Sequence, residues 1–139
     1  MKKILIDTDV LLDFFFDRKP FSKDSAIILS LCERNILEGY ITPVIISNIY
    51  YLLHRTAKHE KVIEKLKLLL TILHVLQMDR HVIETALNSE FKDFEDALQN
   101  FAAINNGEID VIITRNLKDY AKSSIGILSP ESFVKLFNT

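Results

Sequence analysis

The sequence predicts an α/β fold, a three-layer α/β/α sandwich built on a central, mainly parallel sheet of about five strands. Three observations predict it. Short β-like runs recur at residues 3–6, 39–41, 75–77, 111–114 and 126–128, and apolar residues at helical spacing fill the stretches between them. Strands that alternate with helices bury a parallel sheet beneath helices on both faces. Only three glycines and three prolines punctuate the 139 residues, and no repeat or low-complexity linker appears, so 1–139 reads as a single domain.

The first run, K-K-I-L-I, is a short buried strand, and residues 10–16 beyond it are apolar enough to be packed on both sides. Asp7, Asp9 and Asp13 stand in and around this stretch, with Asp17 after it. An ionised carboxylate buried there must be neutralised, paired or bound to a metal. The alternative is that Asp7 only caps the turn leaving the strand, and these residues alone leave both readings open. Asp9, Asp13 and Asp17 read as exposed turn or helix residues. Ser22 can cap a helix to about Arg34, in which Cys32, the single cysteine, is a small core residue. Thr42 before Pro43 starts a helix running to about Arg55, and residues 61–73 repeat leucine and isoleucine at helical spacing. Asp79 and Asp93 can cap two more helices, and Ser129-Pro130-Glu131 opens a last one ending near Phe137.

Hydrophobic residues make up 48% of the chain and charged residues 26%, which suits a folded globular protein and excludes disorder. No signal-peptide core is visible, and no apolar run reaches the ~18 residues of a membrane span, so a cytoplasmic chain without membrane contact is expected. A net charge of -2 gives no global sign of nucleic-acid binding. Two local basic stretches exist. One runs from Arg55 through Lys58, Lys61, Lys65 and Lys67, and reads as a solvated face. The other, Arg115, Lys118 and Lys122, lies beside Asp119, where it is placed to hold phosphates. His54, His59, His74 and His81 show no ligand spacing, which argues against zinc, and Tyr50, Tyr51 and Phe14 to Phe16 read as core or interface.

Asp7 ends the first strand, Asp96 sits in the first turn of D-F-E-D-A-L-Q-N-F-A-A, and Asp119 follows V-I-I-T and R-N-L-K. In a parallel α/β sheet such positions converge beyond the carboxyl ends of the strands. Nothing of opposite charge is placed locally to pair all three, so a divalent cation is the economical partner. Mg²⁺ and Mn²⁺ favour carboxylate oxygens, and either ion can position a water and stabilise charge growing on a phosphate.

Taken in order and spacing, I-L-I-D-T-D-V-L-L-D, T-P-V-I-I-S-N-I-Y-Y-L-L-H-R, D-F-E-D-A-L-Q-N-F-A-A and D-V-I-I-T-R-N-L-K-D-Y resemble the PIN-domain family. That family comprises metal-dependent nucleases, many of them toxin ribonucleases of bacterial toxin-antitoxin pairs. The resemblance runs from about residue 2 to residue 128. It implies an endoribonuclease that hydrolyses RNA phosphodiester bonds with Mg²⁺ or Mn²⁺, with an antitoxin protein as a further partner. Carried over by position, Asp7, Asp96 and Asp119 are the metal-binding acids. Thr114 and Asn116 are polar neighbours in the same loop and, with Arg115 and Lys118, are expected to bind substrate. One departure stands out. The family's second acid is normally a glutamate, and the matching catalytic position here is Asn48, which brings no charge and should lower metal affinity. Asn116 likewise stands where many relatives carry another aspartate, and Glu95 beside Asp96 can partly compensate. The alternative that follows is a catalytically weakened module that binds RNA or a protein partner. A haloacid-dehalogenase-type phosphatase, suggested by I-D-T-D-V, lacks the glycine and threonine that follow the second aspartate in that family. Finally, the apolar content of residues 45–53 and 61–73 exceeds what one sheet face needs, which predicts a homodimer.

Overall fold

The computed structural model describes residues 2–138; the two terminal residues of the expected 1–139 domain lie outside the described residues. The strands are β1 (Lys2–Ile6), β2 (Leu37–Ile41), β3 (His74–Val75), β4 (Val111–Ile113) and β5 (Gly126–Leu128). They form one sheet in the order β3-β2-β1-β4-β5, with every neighbouring pair parallel. Ile4, Leu5 and Ile6 of β1 and Ile112 and Ile113 of β4 are wholly buried, as strands covered on both faces require.

The helices are α1 (Thr8–Phe15), α2 (Ser22–Glu33), α3 (Pro43–His54), α4 (His59–Ile72), α5 (Arg80–Leu87), α6 (Phe94–Asn106) and α7 (Pro130–Phe137). A short 3-10 turn, Leu117–Tyr120, lies between β4 and β5. From β1 the chain steps outward to β2 and β3, then returns across the sheet to β4. Right-handed crossovers therefore put α5 and α6, which pack together, on the face opposite the earlier helices. The layered α/β fold expected from the alternation of elements is the fold observed.

Local chemistry explains the boundaries. Thr42 accepts from the Ile45 amide at 3.1 Å, Asp79 from Val82 at 3.1 Å, Asp93 from Asp96 at 2.9 Å and Ser129 from Ser132 at 3.1 Å, so four expected caps are in place. Ser22 is a correction. It is already helical, and its hydroxyl donates to Asp17 at 2.7 Å rather than capping α2. Asp7 caps α1, a helix that the all-apolar look of residues 10–16 concealed. β3 begins one residue earlier than expected and stops sooner, although the Leu76 amide still reaches the Ile41 carbonyl at 2.8 Å. Gly39 sets how closely the layers approach, because a Cβ there would lie 2.6 Å from Leu73 Cδ2 and 2.7 Å from Cys32 Sγ. Cys32 is buried in that contact, as expected. Among the described residues no helix is long and apolar enough to cross a membrane.

Candidate metal centre

The strand order reverses beside β1, which has β2 on one side and β4 on the other; in open α/β sheets that reversal opens a crevice at the carboxyl edge. A cavity of about 470 Å³ lies there. β1 delivers Asp7 to it, the start of α6 delivers Asp93, Glu95 and Asp96, α3 delivers Asn48, and the loop after β4 delivers Asn116.

Asp93, Asp96 and Asp119 each present one carboxylate oxygen such that all three atoms lie within 4.8 Å of one another. Asp93 uses its Oδ1 to accept from the Asp96 amide, which fixes the first turn of α6. Asp119, exposed on the 3-10 turn, accepts from Asn116 Nδ2 at 2.5 Å. Asp7 is buried and fully engaged. Its Oδ1 accepts from the Thr8 amide at 2.8 Å, while Oδ2 accepts from Thr114 Oγ1 at 2.9 Å and the Tyr120 hydroxyl at 3.3 Å. Asp7 thus caps a helix and also lines the cavity.

The electrostatics are those of acids crowded without a counter-charge. Burial, followed by the charges of Asp7 and Asp93 and contact with Asp119, pushes Asp96 up to about 8. Burial also raises Asp7, against the opposing pull of its hydrogen bonds from Thr8, Thr114 and Tyr120. Asp9 rises to about 6 through burial and the charge of Asp7, and one of its oxygens is buried without a hydrogen-bond partner. Burial and the neighbouring carboxylates raise the Tyr120 hydroxyl as well, so it stays protonated as a donor. Among the described residues no lysine or arginine forms an ion pair with Asp7, Asp93, Asp96 or Asp119. An all-oxygen donor set carrying unbalanced negative charge fits a hard divalent cation.

The structure thus brings Asp96 and Asp119 together and sets Asp7 close enough to perturb Asp96. Asn48 faces the same cavity, where its Nδ2 donates to Glu95 Oε2 at 3.0 Å. A second tie, Thr42 Oγ1 donating to Gln99 Oε1 at 2.5 Å, holds the start of α3 against α6 and fixes that approach. Lys118 is exposed and does not line the cavity.

Several expectations are corrected. Thr114 is wholly buried, so it orients Asp7 instead of meeting substrate. Arg115 does not flank the acids with a free guanidinium. Its Nε and Nη2 donate to Asp13 at 2.7 and 2.9 Å, and the group lies 3.9 Å from the centre of the Phe21 ring. Asp13, read as exposed, is wholly buried because the helical register of α1 turns position 13 inward beside Val10 and Leu11. Asp9 is half-buried and accepts from the Arg115 amide at 3.1 Å. Tyr51, read as core or interface, is 67% exposed and lines the cavity. Two contributors were missed. Asp93 reads as a cap and is one, yet one of its carboxylate oxygens also lies with those of Asp96 and Asp119. Tyr120 is a lone aromatic in a polar loop, and its one sequence signal is its place directly after Asp119.

Comparison with known proteins agrees with this geometry. A family model described as PIN domain matches residues 3–118. A curated protein of Aquifex aeolicus (strain VF5), named Ribonuclease VapC1, is 27% identical over 143 residues, covering 99% of this chain and 97% of its own. Among solved structures, VapBC2 from Rickettsia felis, bound to a DNA fragment from its promoter, superposes with a TM-score of 0.69 at 17% identity, over 91% of this chain and 97% of that one. Mycobacterium tuberculosis VapC20, described as a sarcin-ricin loop cleaving toxin, superposes with a TM-score of 0.63 at 15% identity, over 85% and 95%. At such identities these two structures speak for the fold.

Proposed function

The chain belongs to the PIN-domain family, and on that premise we propose that it is a Mg²⁺- or Mn²⁺-dependent endoribonuclease, the toxin of a toxin-antitoxin pair. The observation that carries the proposal is the set of three carboxylate oxygens within 4.8 Å of one another, none of them in an ion pair with a lysine or arginine among the described residues. Asp96, Asp119 and Asp93 would hold the ion, with Asp7 at its side. When bound, such an ion supplies Lewis-acid stabilisation of phosphate charge and a water activated for attack.

The chain's own residues prepare the site. Thr114 and Tyr120 donate to one oxygen of Asp7 and fix its orientation. Burial and the neighbouring acids raise Asp96 to about 8, so an ion held there would displace a proton. Asn48 holds the Glu95 carboxylate on the cavity wall, which keeps a fifth acid near the position where relatives carry a glutamate.

A calorimetric titration with Mn²⁺ tests the reading. Binding at or below millimolar concentration, with proton release detected by repeating the titration in buffers of different ionisation enthalpy, is expected. No heat at millimolar Mn²⁺ would instead favour a module that binds RNA or protein and has lost turnover through Asn48. Tyr120→Phe removes one of the donors to Asp7 and should weaken Mn²⁺ binding by about tenfold while the chain stays folded. Unchanged affinity would make Tyr120 a packing residue only.

Asn48→Glu adds a carboxylate facing the same cavity. A nearby unit charge is worth about 4 kcal/mol at 4 Å and an effective dielectric of 20. Desolvation and repulsion from Asp7, Asp96 and Glu95, which also loses its amide donor, cancel much of that. We expect Mn²⁺ to bind about tenfold more tightly, about 1.4 kcal/mol, and the metal-free protein to melt lower. Equal affinity in the two proteins would put Asn48 outside the ion's reach.

The Rickettsia felis relative is a VapBC structure, and by analogy an antitoxin is the protein partner proposed here. An apolar groove between α1, α2 and α4, lined by Phe14, Leu29, Leu68 and Ile72, supports such docking. A second copy is the other partner proposed, and light scattering at micromolar concentration decides it, since a monomeric mass contradicts a homodimer.

A further inference from the structure

Helical spacing places Asn48, Tyr51, Leu52 and Arg55 on one stripe of α3 and its end, and all four line the cavity that holds the acids. At 1.5 Å per residue, Arg55 lies about 10 Å along the helix from Asn48. Along that stripe Asn48 meets the acidic wall through Glu95, and Tyr51 and Arg55 follow about one and two turns further on. Arg18 lines the same cavity with its side chain 44% exposed, and its ion pair with Asp13 is a loose 3.6 Å contact. Arg55 is exposed and forms no ion pair among the described residues.

Tyr51 is the most exposed tyrosine-sized surface in this wall, at 67%. It is also held in place. Its ring meets Tyr50 edge-on at 5.7 Å, and Tyr50 is clamped by stacking on His54 at 5.3 Å and by a 2.9 Å hydrogen bond between its hydroxyl and His59 Nδ1. An exposed ring on a rigid backing offers stacking area at little cost in side-chain entropy. Cations beside it would be out of place in a cavity built only to hold a metal, because they oppose the ion. They suit a ligand that carries negative charge away from the acids.

We propose that Tyr51, Arg55 and Arg18 form a subsite for the nucleotide next to the scissile phosphate of single-stranded RNA, with its base stacked on Tyr51 and its phosphate held by the two arginines. This rests on the ribonuclease reading and adds to it the strandedness of the substrate. A base can stack on a side chain only when it has left its own helix, so the subsite selects unpaired RNA over duplex.

The test uses the full-length chain carrying Asp96→Asn, which removes a cavity acid, with fluorescence anisotropy of a short unstructured RNA and of a duplex of the same length. Adding Tyr51→Ala should weaken binding of the single strand by about tenfold and leave duplex binding unchanged, while Tyr51→Phe keeps most of the affinity. Adding Arg55→Ala should weaken it as well and reduce the salt dependence by about one phosphate contact. Both positions are exposed, so circular dichroism and melting of the variants should match the parent protein. If the parent binds single-stranded RNA and the Tyr51 and Arg55 variants bind it equally well, the subsite is refuted and the ribonuclease reading survives. If the parent binds no RNA at all, the ribonuclease reading falls and the subsite with it.

Discussion

Asp96→Asn is expected to lower RNA cleavage by about 10³-fold and, in the same protein, to raise the stability of the metal-free fold at alkaline pH. The first effect follows from removing a central ligand of the proposed ion: Lewis-acid stabilisation of the transition state is worth several kcal/mol, and each 1.36 kcal/mol is a factor of about ten in rate. The second follows from linkage. In the folded protein Asp96 is raised to about 8, far above the ~3.9 of an unfolded aspartate. Between those values the folded state holds a proton that the unfolded state has released. The stability this proton supplies is complete below about pH 4 and is lost as pH climbs to about 8. Asparagine never ionises, so in chelator the variant should melt above the parent protein by a margin that widens with pH. Saturating Mn²⁺ should reverse the order, because only the parent protein binds it well. Equal melting points at every pH, in chelator and in Mn²⁺, would mean that Asp96 is a solvated acid outside any metal site.

The second large effect lies away from the acids. Arg115→Met should destabilise the fold by about 3 kcal/mol, because it strips the bidentate partner from a wholly buried Asp13 and leaves only Arg18 at 3.6 Å. Orphaning one member of a buried pair typically costs about 3–5 kcal/mol, and the partial exposure of Arg115 places this pair at the low end. For a chain of this size the melting temperature should fall by roughly 10 °C. Asp13→Leu combined with Arg115→Met should recover most of that loss, since replacing both partners removes the stranded charge. The pair also ties the loop after β4, which carries Thr114 and Asn116, to α1. Metal affinity should therefore fall in the single variant and partly return in the double. A single variant as stable as the parent protein would show that the loop is held by other contacts.

These two residues mark where sequence reading succeeds and where it stops. Asp96 is legible because the run after it turns apolar at helical spacing, which leaves an acid in the first turn with no reason to be buried unless it has work there. The sheet is legible for a similar reason, since the buried part of β1 (I-L-I) and all of β4 (V-I-I) are apolar runs followed by polar turns. Asp13 is not legible. Its burial depends on α1 being a helix, and residues 10–16, apolar except for Asp13, are too few and too uniform to carry a periodicity that separates helix from strand. The double role of Asp93 is hidden because nothing local shows that the capping carboxylate also lies beside Asp119, 26 residues further along. Arg115 misled for the opposite reason. Its neighbours in sequence are lysines beside an acidic loop, whereas its partner lies 102 residues away on α1. The cavity wall made by Tyr51 and Arg55 depends on which face α3 turns toward α6, and the tie between Thr42 and Gln99 that fixes this joins residues 57 apart.

The most direct test is cleavage of a labelled, unstructured RNA by the purified chain in Mn²⁺, in chelator, and after Mn²⁺ is restored. Cleavage that requires the ion, stops in chelator, returns with Mn²⁺ and is lost in Asp96→Asn is the expected result. The products should lack a 2′,3′-cyclic phosphate, because water rather than the ribose hydroxyl attacks the phosphorus. Cleavage that persists in chelator, or that leaves cyclic phosphate ends, would contradict a metal-dependent hydrolysis centred on Asp7, Asp93, Asp96 and Asp119.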